Sequence, residues 1–442
     1  MSLQINKYLL AVAMVGAIGS APTRMLGQTQ AAPAKGPQWK DRAEYDLFES
    51  ITKDTNPKTK LDKLQDWEKK YPKTDYNTQR QTLLLTTYAA LNQPKQTVDE
   101  AREILSGDPK NFTAQYYTMF FTQALYTQNQ SPTVLDQGEK AAQAILAGID
   151  TPPANVTAAQ WASLRPDIEL MAHRNLGFIA MQRKNWEGAE AEFKKTLQMH
   201  SDDGQVDYWL GTVIAAHAAA QKKLDELPEA MFYFARAAEF DGPKGSLNEA
   251  GRKTALDYVQ KQYKNYHGSD QGFSDLVAAA KANPMMPAGF TIESATAIAT
   301  QQIQNENAWE QSHPQEALWK KIMMALTGPD GATYFDMSMK GAAVPELKGK
   351  VVKLEPATRP KTILLAMDDG SGKFGDANAT LKFEMPLPGK VDEGTELSFE
   401  GVPDSYTANP LMVIFNVDKD KLTGWTGKNE APVHHRRAAD KK

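Results

Sequence analysis

The sequence contains no cysteine among its 442 residues. This absence excludes disulfide bonds, thiolate metal ligands, a cysteine nucleophile and a lipid-modified cysteine behind an export signal. A strong excess of one charge is also lacking, because the net charge of −4 is too small to indicate binding to nucleic acid or an acidic membrane. The length predicts two or three domains, and the hydrophobic content of 41% with a charged content of 24% is that of a soluble globular protein.

The sequence also lacks a long apolar run, since the one near the N-terminus covers only residues 8–18. Lys7 precedes apolar residues 8–18, and small and polar residues follow. Such a run is too short to cross a bilayer as a stable helix, but it suits a cleavable signal. We therefore expect a signal peptide over residues 1–31 and a periplasmic or secreted bacterial protein without a membrane span after cleavage. The alternative is a buried first helix.

The two chain ends carry little else that predicts structure. Residues 32–40 are rich in Pro and Ala and indicate a linker, and residues 431–442 indicate a disordered basic tail.

Spacings typical of catalytic or metal-binding sites are also lacking. The seven histidines form no HExxH or similar pair. Residues 370–375 resemble a phosphate loop only loosely, since Phe374 stands where Ser or Thr would hold magnesium. One hypothesis is a calcium site at Asp368, although Lys373 stands where an oxygen ligand is needed; the alternative is a plain turn. Another is a copper-binding or partner-binding surface of methionines; the alternative is packing in the core. A dispersed catalytic set would leave no signature. We expect no metal, no cofactor, no catalytic residue and hence no enzyme.

Helical patterns fill the middle of the chain. Apolar residues recur every three or four positions, and prolines separate the segments. Capping boxes are predicted to begin at Thr97, Thr157 and Ser246. We assign helical repeats to residues 41–243 and a helical extension to residues 244–327.

Two copies of one pattern stand out within the repeats. A Leu-Gly pair recurs 34 residues later, and each pair is followed by a small residue and then by a phenylalanine. The residues of this pattern are Leu176, Gly177, Ala189 and Phe193 in the first copy, and Leu210, Gly211, Ala230 and Phe234 in the second. Small residues at these offsets let two helices approach closely while the aromatic ring fills the gap. The pattern is typical of helix pairs that must stack to bury their apolar faces.

The order Leu-Gly, Ala, Phe resembles the tetratricopeptide repeat (TPR). The resemblance implies an α-solenoid of helix hairpins with a concave groove lined by the first helix of each pair, and a non-catalytic scaffold that binds an unidentified protein or peptide. Carried over position by position, it implies that these side chains contact the partner: Arg174, Phe178, Met181, Tyr208, Thr212, Ala215 and, as rougher assignments, Tyr116 and Phe120. The alternative is that they pack against neighbouring helices.

Residues 328–430 have a different texture, with short β-branched segments between Gly, Pro and Asp turns. Strands are predicted at residues 350–354, 362–367, 380–384, 396–399 and 411–418. Residues 347–352 resemble the first strand of an OB-fold, although the helix expected between strands three and four is not evident. The whole chain is thus expected to be mainly α, a TPR-like solenoid followed by a small β-barrel or OB-like domain.

The β domain offers a second hypothesis for function, namely oligosaccharide binding with the helices as a scaffold. Nucleic acid is a weaker alternative, because residues 340–430 hold twelve basic and fourteen acidic residues and nucleic-acid binding needs a basic footprint.

Overall fold

The structure, a computed structural model, describes residues 37–428 except 155, 244, 369 and 373. The expected signal peptide, most of the expected linker, Lys373 and the expected basic tail lie outside the described residues. The chain divides into two compact units between Ala295 and Thr296.

The first unit is an array of helices, here called the helical array. Its helices are α1 (Arg42–Lys53), α2 (Pro57–Lys70), α3 (Asn77–Ala90), α4 (Pro94–Gly107), α5 (Phe112–Asn129), α6 (Pro132–Ala147), α7 (Ala158–Gln182), α8 (Trp186–Met199), α9 (Gly204–Gln221), α10 (Leu227–Glu239), α11 (Glu249–His267) and α12 (Phe273–Ala282). Each helix from α1 to α10 packs against the next one along the chain, and α12 packs against α10, as a stack of helix pairs requires.

Local chemistry sets where these helices begin. Asn56, Asn111 and Asp203 accept hydrogen bonds from backbone N–H groups of the first turn. Pro94 and Pro132 occupy the first position of α4 and α6, where a missing N–H costs nothing.

One predicted capping box is confirmed and two are wrong. Thr157 caps α7 together with Gln160. Thr97 lies inside α4, because Pro94 starts that helix one turn earlier, and its hydroxyl donates to the carbonyl of Gln93. Ser246 precedes α11, and Asn248 caps that helix by accepting from the backbone N–H of Gly251.

The second repeat has seven more residues between Gly211 and Ala230 than the first has between Gly177 and Ala189. These residues lengthen α9 only in part. Helix α9 ends at Gln221, Lys222 follows with a left-handed backbone, and a 3-10 turn (Leu224–Glu226) leads into α10.

The apolar cores of the array follow one another along the chain. Side chains of α1, α2 and α3 form a cluster around Trp67, and α3 to α7 form another around Tyr116. The third runs mainly from α7 to α12 around Phe193 and Phe234. Each core is shared by neighbouring helix pairs, which is why a single pair could not fold alone.

The second unit begins one residue into α13. Its elements are α13 (Ala295–Ser312), α14 (Pro314–Thr327), α15 (Gly331–Tyr334), a π-helical turn (Phe335–Met339), and strands β1 (Val344–Glu355), β2 (Thr362–Met367), β3 (Ala379–Lys382), β4 (Glu396–Ala408), β5 (Leu411–Asn416) and β6 (Leu422–Thr423). The division between units lies well before residue 328, where the texture of the sequence changes. The reason is that α14 packs on β1 and buries Trp319 in the core of the strands.

The strands form a closed five-stranded barrel. The order is β1-β2-β3-β5-β4, and β4 pairs with β1 to close it. Neighbours are antiparallel except β3 and β5, which are parallel. Leu365, Leu381, Phe399 and Phe415 alternate into the barrel core. The predicted mainly α fold with a small C-terminal barrel is confirmed.

Candidate functional site

The Leu-Gly pairs lie where helices of the array touch. A Cβ atom at Gly177 would lie 2.6 Å from the ring of Phe193, and one at Gly211 would lie 3.0 Å from the carbonyl of Ala230. The ring of Phe234 would lie 3.1 Å from the same Cβ atom. Leu210, Ala189, Ala230 and Phe193 are buried, while Leu176 packs on the neighbouring core from a partly buried position. The glycines thus set the distance between α7 and α8 and between α9 and α10.

The partner-contact residues inferred on α7 are engaged within the array. The ring of Phe178 is 6% exposed and lies 5.5 Å from that of Trp209. Arg174 pairs with Asp203, Nε to Oδ2, at 2.9 Å, and its guanidinium lies 4.9 Å from the Trp209 ring. Met181 packs partly buried on the same core. These side chains join α7 to α9 in this structure.

The two residues inferred on α5 differ from each other. Tyr116 is 1% exposed, and burial raises the pKa of its hydroxyl above its usual range. Phe120, one turn later, is 38% exposed. Of this pair, only the Phe120 ring presents much surface to solvent.

The residues inferred on α9 lie along one side of that helix. The Tyr208 ring meets Phe234 edge to face at 5.3 Å. The Thr212 hydroxyl donates to the Tyr208 carbonyl at 2.8 Å. Ala215 lines an open hollow between α9 and α11.

This hollow, which we call the α9–α11 groove, is open to solvent, and its empty space, open solvent included, is about 300 Å³. It is lined by Ala215, Leu227, Ala230, Met231, Phe234, Tyr258, Gln262 and Tyr266. Helix α10 supplies the apolar floor, and α9 and α11 supply the two sides. Because α9 and α11 are the first helices of successive pairs, the groove lies where the repeat pattern leads one to look for a partner site.

The residues that α11 contributes to the groove were not predicted from the sequence. Tyr258, Gln262 and Tyr266 follow each other at intervals of four residues, so they share one face of the helix. A second stripe, from Ala255 to Tyr263, is buried against the array. The two stripes could have been separated from sequence, but α11 carries no Leu-Gly pair to align them.

The polar groups of the groove are neutral hydrogen-bonding groups. Burial raises the pKa of Tyr258, as does the neighbouring Tyr208, and burial followed by Asp225 raises the pKa of Tyr266. Both hydroxyls therefore stay protonated near neutral pH. Among the described residues, no side chain or backbone group bonds to these hydroxyls or to the Gln262 amide. The groove thus has donors free for a ligand on an apolar floor.

A buried ion pair lies beneath the N-terminal end of α9. Asp207 is fully buried and Arg236 nearly so, and their side chains lie 3.5 Å apart, Oδ2 to Nε. The guanidinium donates to the carbonyls of Ser201 and Asn283 at 3.0 and 2.9 Å. Arg236 therefore fastens α10 to the loop before α9 and to the end of α12, which fixes the floor of the groove.

Two searches of the described residues were negative. No group of three or more His, Asp or Glu side chains there is arranged to hold a metal ion. No helix in the described part of the chain has the length and apolar character to cross a membrane.

Comparison with known proteins finds only distant structural similarity. No family model and no curated protein matches the chain. The crystal structure of TTC0263, a thermophilic TPR protein in Thermus thermophilus, is 15% identical with a TM-score of 0.27, and the match covers 49% of this chain and 96% of that one. Pseudomonas aeruginosa PilF is 16% identical with a TM-score of 0.30, covering 54% and 87%. At this level neither structure adds to what the helix pairs themselves establish. The array is a TPR-like solenoid by its own packing.

Proposed function

We propose that the helical array is a non-catalytic scaffold that binds a segment of another polypeptide in the α9–α11 groove. The observation that carries this proposal is the groove itself: an open apolar floor beside tyrosine hydroxyls and a glutamine amide that have no hydrogen-bond partner among the described residues. Binding in the groove does not require contact of the partner with Phe120 or with the buried residues of α7.

The chemistry of the lining supports a polypeptide over a small polar ligand. Met231 and Phe234 offer apolar surface, while Tyr258 is 41% exposed and presents both a ring and a hydroxyl. Tyrosine is enriched where proteins bind one another because one end is apolar and the other forms hydrogen bonds. A peptide supplies the matching pair, apolar side chains beside backbone carbonyls.

Selection from a displayed peptide library on the full chain tests the proposal. Selected peptides should bind in solution, and Tyr258→Ala should weaken binding by about tenfold, as loss of one aromatic anchor with its buried area predicts. Phe120→Ala is the matched control, because it removes a comparably exposed ring outside the groove. A library that yields no binder, or binders equally sensitive to both variants, would contradict the proposal.

We also propose that the chain is exported and acts in the periplasm or outside the cell. The support is the short apolar run that follows Lys7 and precedes small residues.

For the barrel we infer an OB-like fold. The support is its closed order, in which β1 pairs with β2 and with β4 while β3 runs parallel to β5. The segment between β3 and β4 contains no helix in the described residues, so the barrel departs from the usual OB pattern there.

A further inference from the structure

The α9–α11 groove differs from the rest of the surface in its charge. Its eight lining residues are all uncharged, in a chain in which 24% of residues are charged. An acidic or phosphorylated peptide would need arginine or lysine in the lining, and capture of a terminal carboxylate would need a cluster of donors with positive charge. The groove therefore suits a neutral segment.

Secondary structure excludes one further way of binding. Addition of a strand requires a free sheet edge, and the described part of the helical array contains no strand. A bound peptide must therefore lie against helices, either as an amphipathic helix or as an extended segment.

The size of the groove favours an extended segment. A helix with its side chains is about 10–12 Å across, which is large for a shallow hollow whose empty space is only about 300 Å³ even with open solvent included. Tyr258, Gln262 and Tyr266 form a single row, spaced by one helical turn, that spans about 12 Å at 1.5 Å per residue. A polyproline II segment advances about 3.1 Å per residue, so four or five residues cover this row.

The hydrogen-bonding groups agree with this choice. The Tyr258 and Tyr266 hydroxyls and the Gln262 amide can all donate, and they have no partner among the described residues. A proline-rich segment offers carbonyl acceptors and few N–H donors, and its backbone is already ordered before binding. Aromatic rings spaced along a shallow apolar floor are the surface on which such segments dock.

We propose that the α9–α11 groove recognises a neutral, proline-rich segment in the polyproline II conformation. This inference rests on the proposed function and narrows it to one class of peptide. Tyr258 and Tyr266 pack against proline rings, and Gln262 donates to a backbone carbonyl between them.

Titration of fluorescein-labelled decaproline into the full chain tests the inference by fluorescence anisotropy. We expect saturable binding that a glycine-serine decapeptide and an amphipathic helical peptide do not match. Tyr258→Ala and Tyr266→Ala should each weaken binding by about tenfold, whereas Tyr258→Phe, which keeps the ring, should weaken it less. Phe120→Ala should leave binding unchanged. Melting temperatures of all variants establish that they are folded, and Tyr258→Phe keeps the test valid if an alanine variant is not.

The possible failures can be told apart. If library-selected peptides bind the groove but decaproline does not, or if the helical peptide binds better, the proline-rich inference is wrong and the proposed function stands. Decaproline binding that is insensitive to Tyr258 and Tyr266 would also overturn the inference. If no peptide of any kind binds, both are wrong.

Discussion

Gly177 and Phe193 pack so closely that position 177 has no space for a side chain. A Cβ atom there would lie 2.6 Å from two carbons of the ring, and Phe193 is fully buried in the third core. The ring cannot move aside without disturbing Trp209, whose ring lies 5.6 Å from it. The short distance between α7 and α8 thus requires glycine, which has no Cβ atom, at position 177.

Replacement of Gly177 by alanine should therefore destabilise the array. We expect a loss of about 1–3 kcal/mol, typical of overpacking in a filled core. Gly177→Leu should cost more. Urea unfolding followed by circular dichroism measures the loss.

Gly107→Ala is the control for this substitution. Gly107 ends α4, and no atom lies within 4 Å of the position that its Cβ would take. Its stability should be unchanged or raised by up to about 1 kcal/mol. Equal stability of Gly177→Ala and Gly107→Ala would contradict the close packing of α7 on α8.

Arg236→Met should be among the most damaging single substitutions in the array. It removes the donor to Ser201 and Asn283 and leaves Asp207 buried without a counter-charge. Loss of one partner of a buried pair costs about 3–5 kcal/mol. Arg42→Met, at a guanidinium whose side chain is 79% exposed, is the control and should change stability little.

A second substitution checks the cause. Burial raises the pKa of Asp207 well above its usual range, and Arg236 opposes that rise. In the Arg236→Met background, Asp207→Asn should therefore restore part of the lost stability, because the amide has no charge that must be buried or neutralised by a proton on folding. No recovery in the double variant would show that the carbonyl contacts of Arg236, not its charge, are what matters.

Stability should fall between about pH 4.5 and 7 because of Glu100. Burial, reinforced by Glu68 and Glu103, raises the pKa of this carboxyl from 4.5 to about 7. The folded state then holds the proton more tightly than the unfolded state, so the contribution is complete below pH 4.5 and is lost as pH rises through 7. Glu100→Gln should remove the part of this fall that is due to Glu100 and leave the part due to Asp207, whose pKa burial also raises; urea midpoints at several pH values measure the difference.

Glu187→Gln, at an exposed position of α8, is the control for the pH series. Its profile should follow that of the unmodified chain. If Glu100→Gln also follows it, the carboxyl of Glu100 does not titrate near neutrality.

Local chemistry predicted most of the helices and the barrel. Strand β2 begins and ends at the predicted residues, 362 and 367. Strand β4 was predicted to end at Phe399, but it continues past Pro403 to Ala408, with an irregular register between Pro403 and Ser405 that accommodates the proline. Pairing with β5 outweighs the local signal there.

Neighbouring helices, rather than the position within the repeat, determine which residues remain accessible. Phe178 and Thr212 each follow a Leu-Gly pair and so occupy equivalent positions. Trp209, on the first helix of the following pair, covers Phe178 but not Thr212. Beside Ala215, helix α11 contributes Gln262 to the lining, and a hollow remains between α9 and α11. Such differences depend on long-range packing, so the position of the groove could not be predicted from one sequence.

The proposal of export predicts a shorter native chain. Intact-mass measurement of the protein from its natural source should show loss of roughly 20–32 residues, as a cleaved signal implies. A native protein that retains Met1 or begins at Ser2 would contradict export through this segment.

Site-specific photo-crosslinking can show whether a polypeptide binds in the α9–α11 groove. A photoreactive residue is placed at Gln262, which lines the groove, or at Phe120, which is exposed on α5. Each full-length variant is irradiated with the same library-selected peptide, and the adducts are mapped by mass spectrometry. We expect efficient crosslinking from position 262 and little from position 120. Crosslinking from position 120 with none from position 262 would contradict binding in this groove.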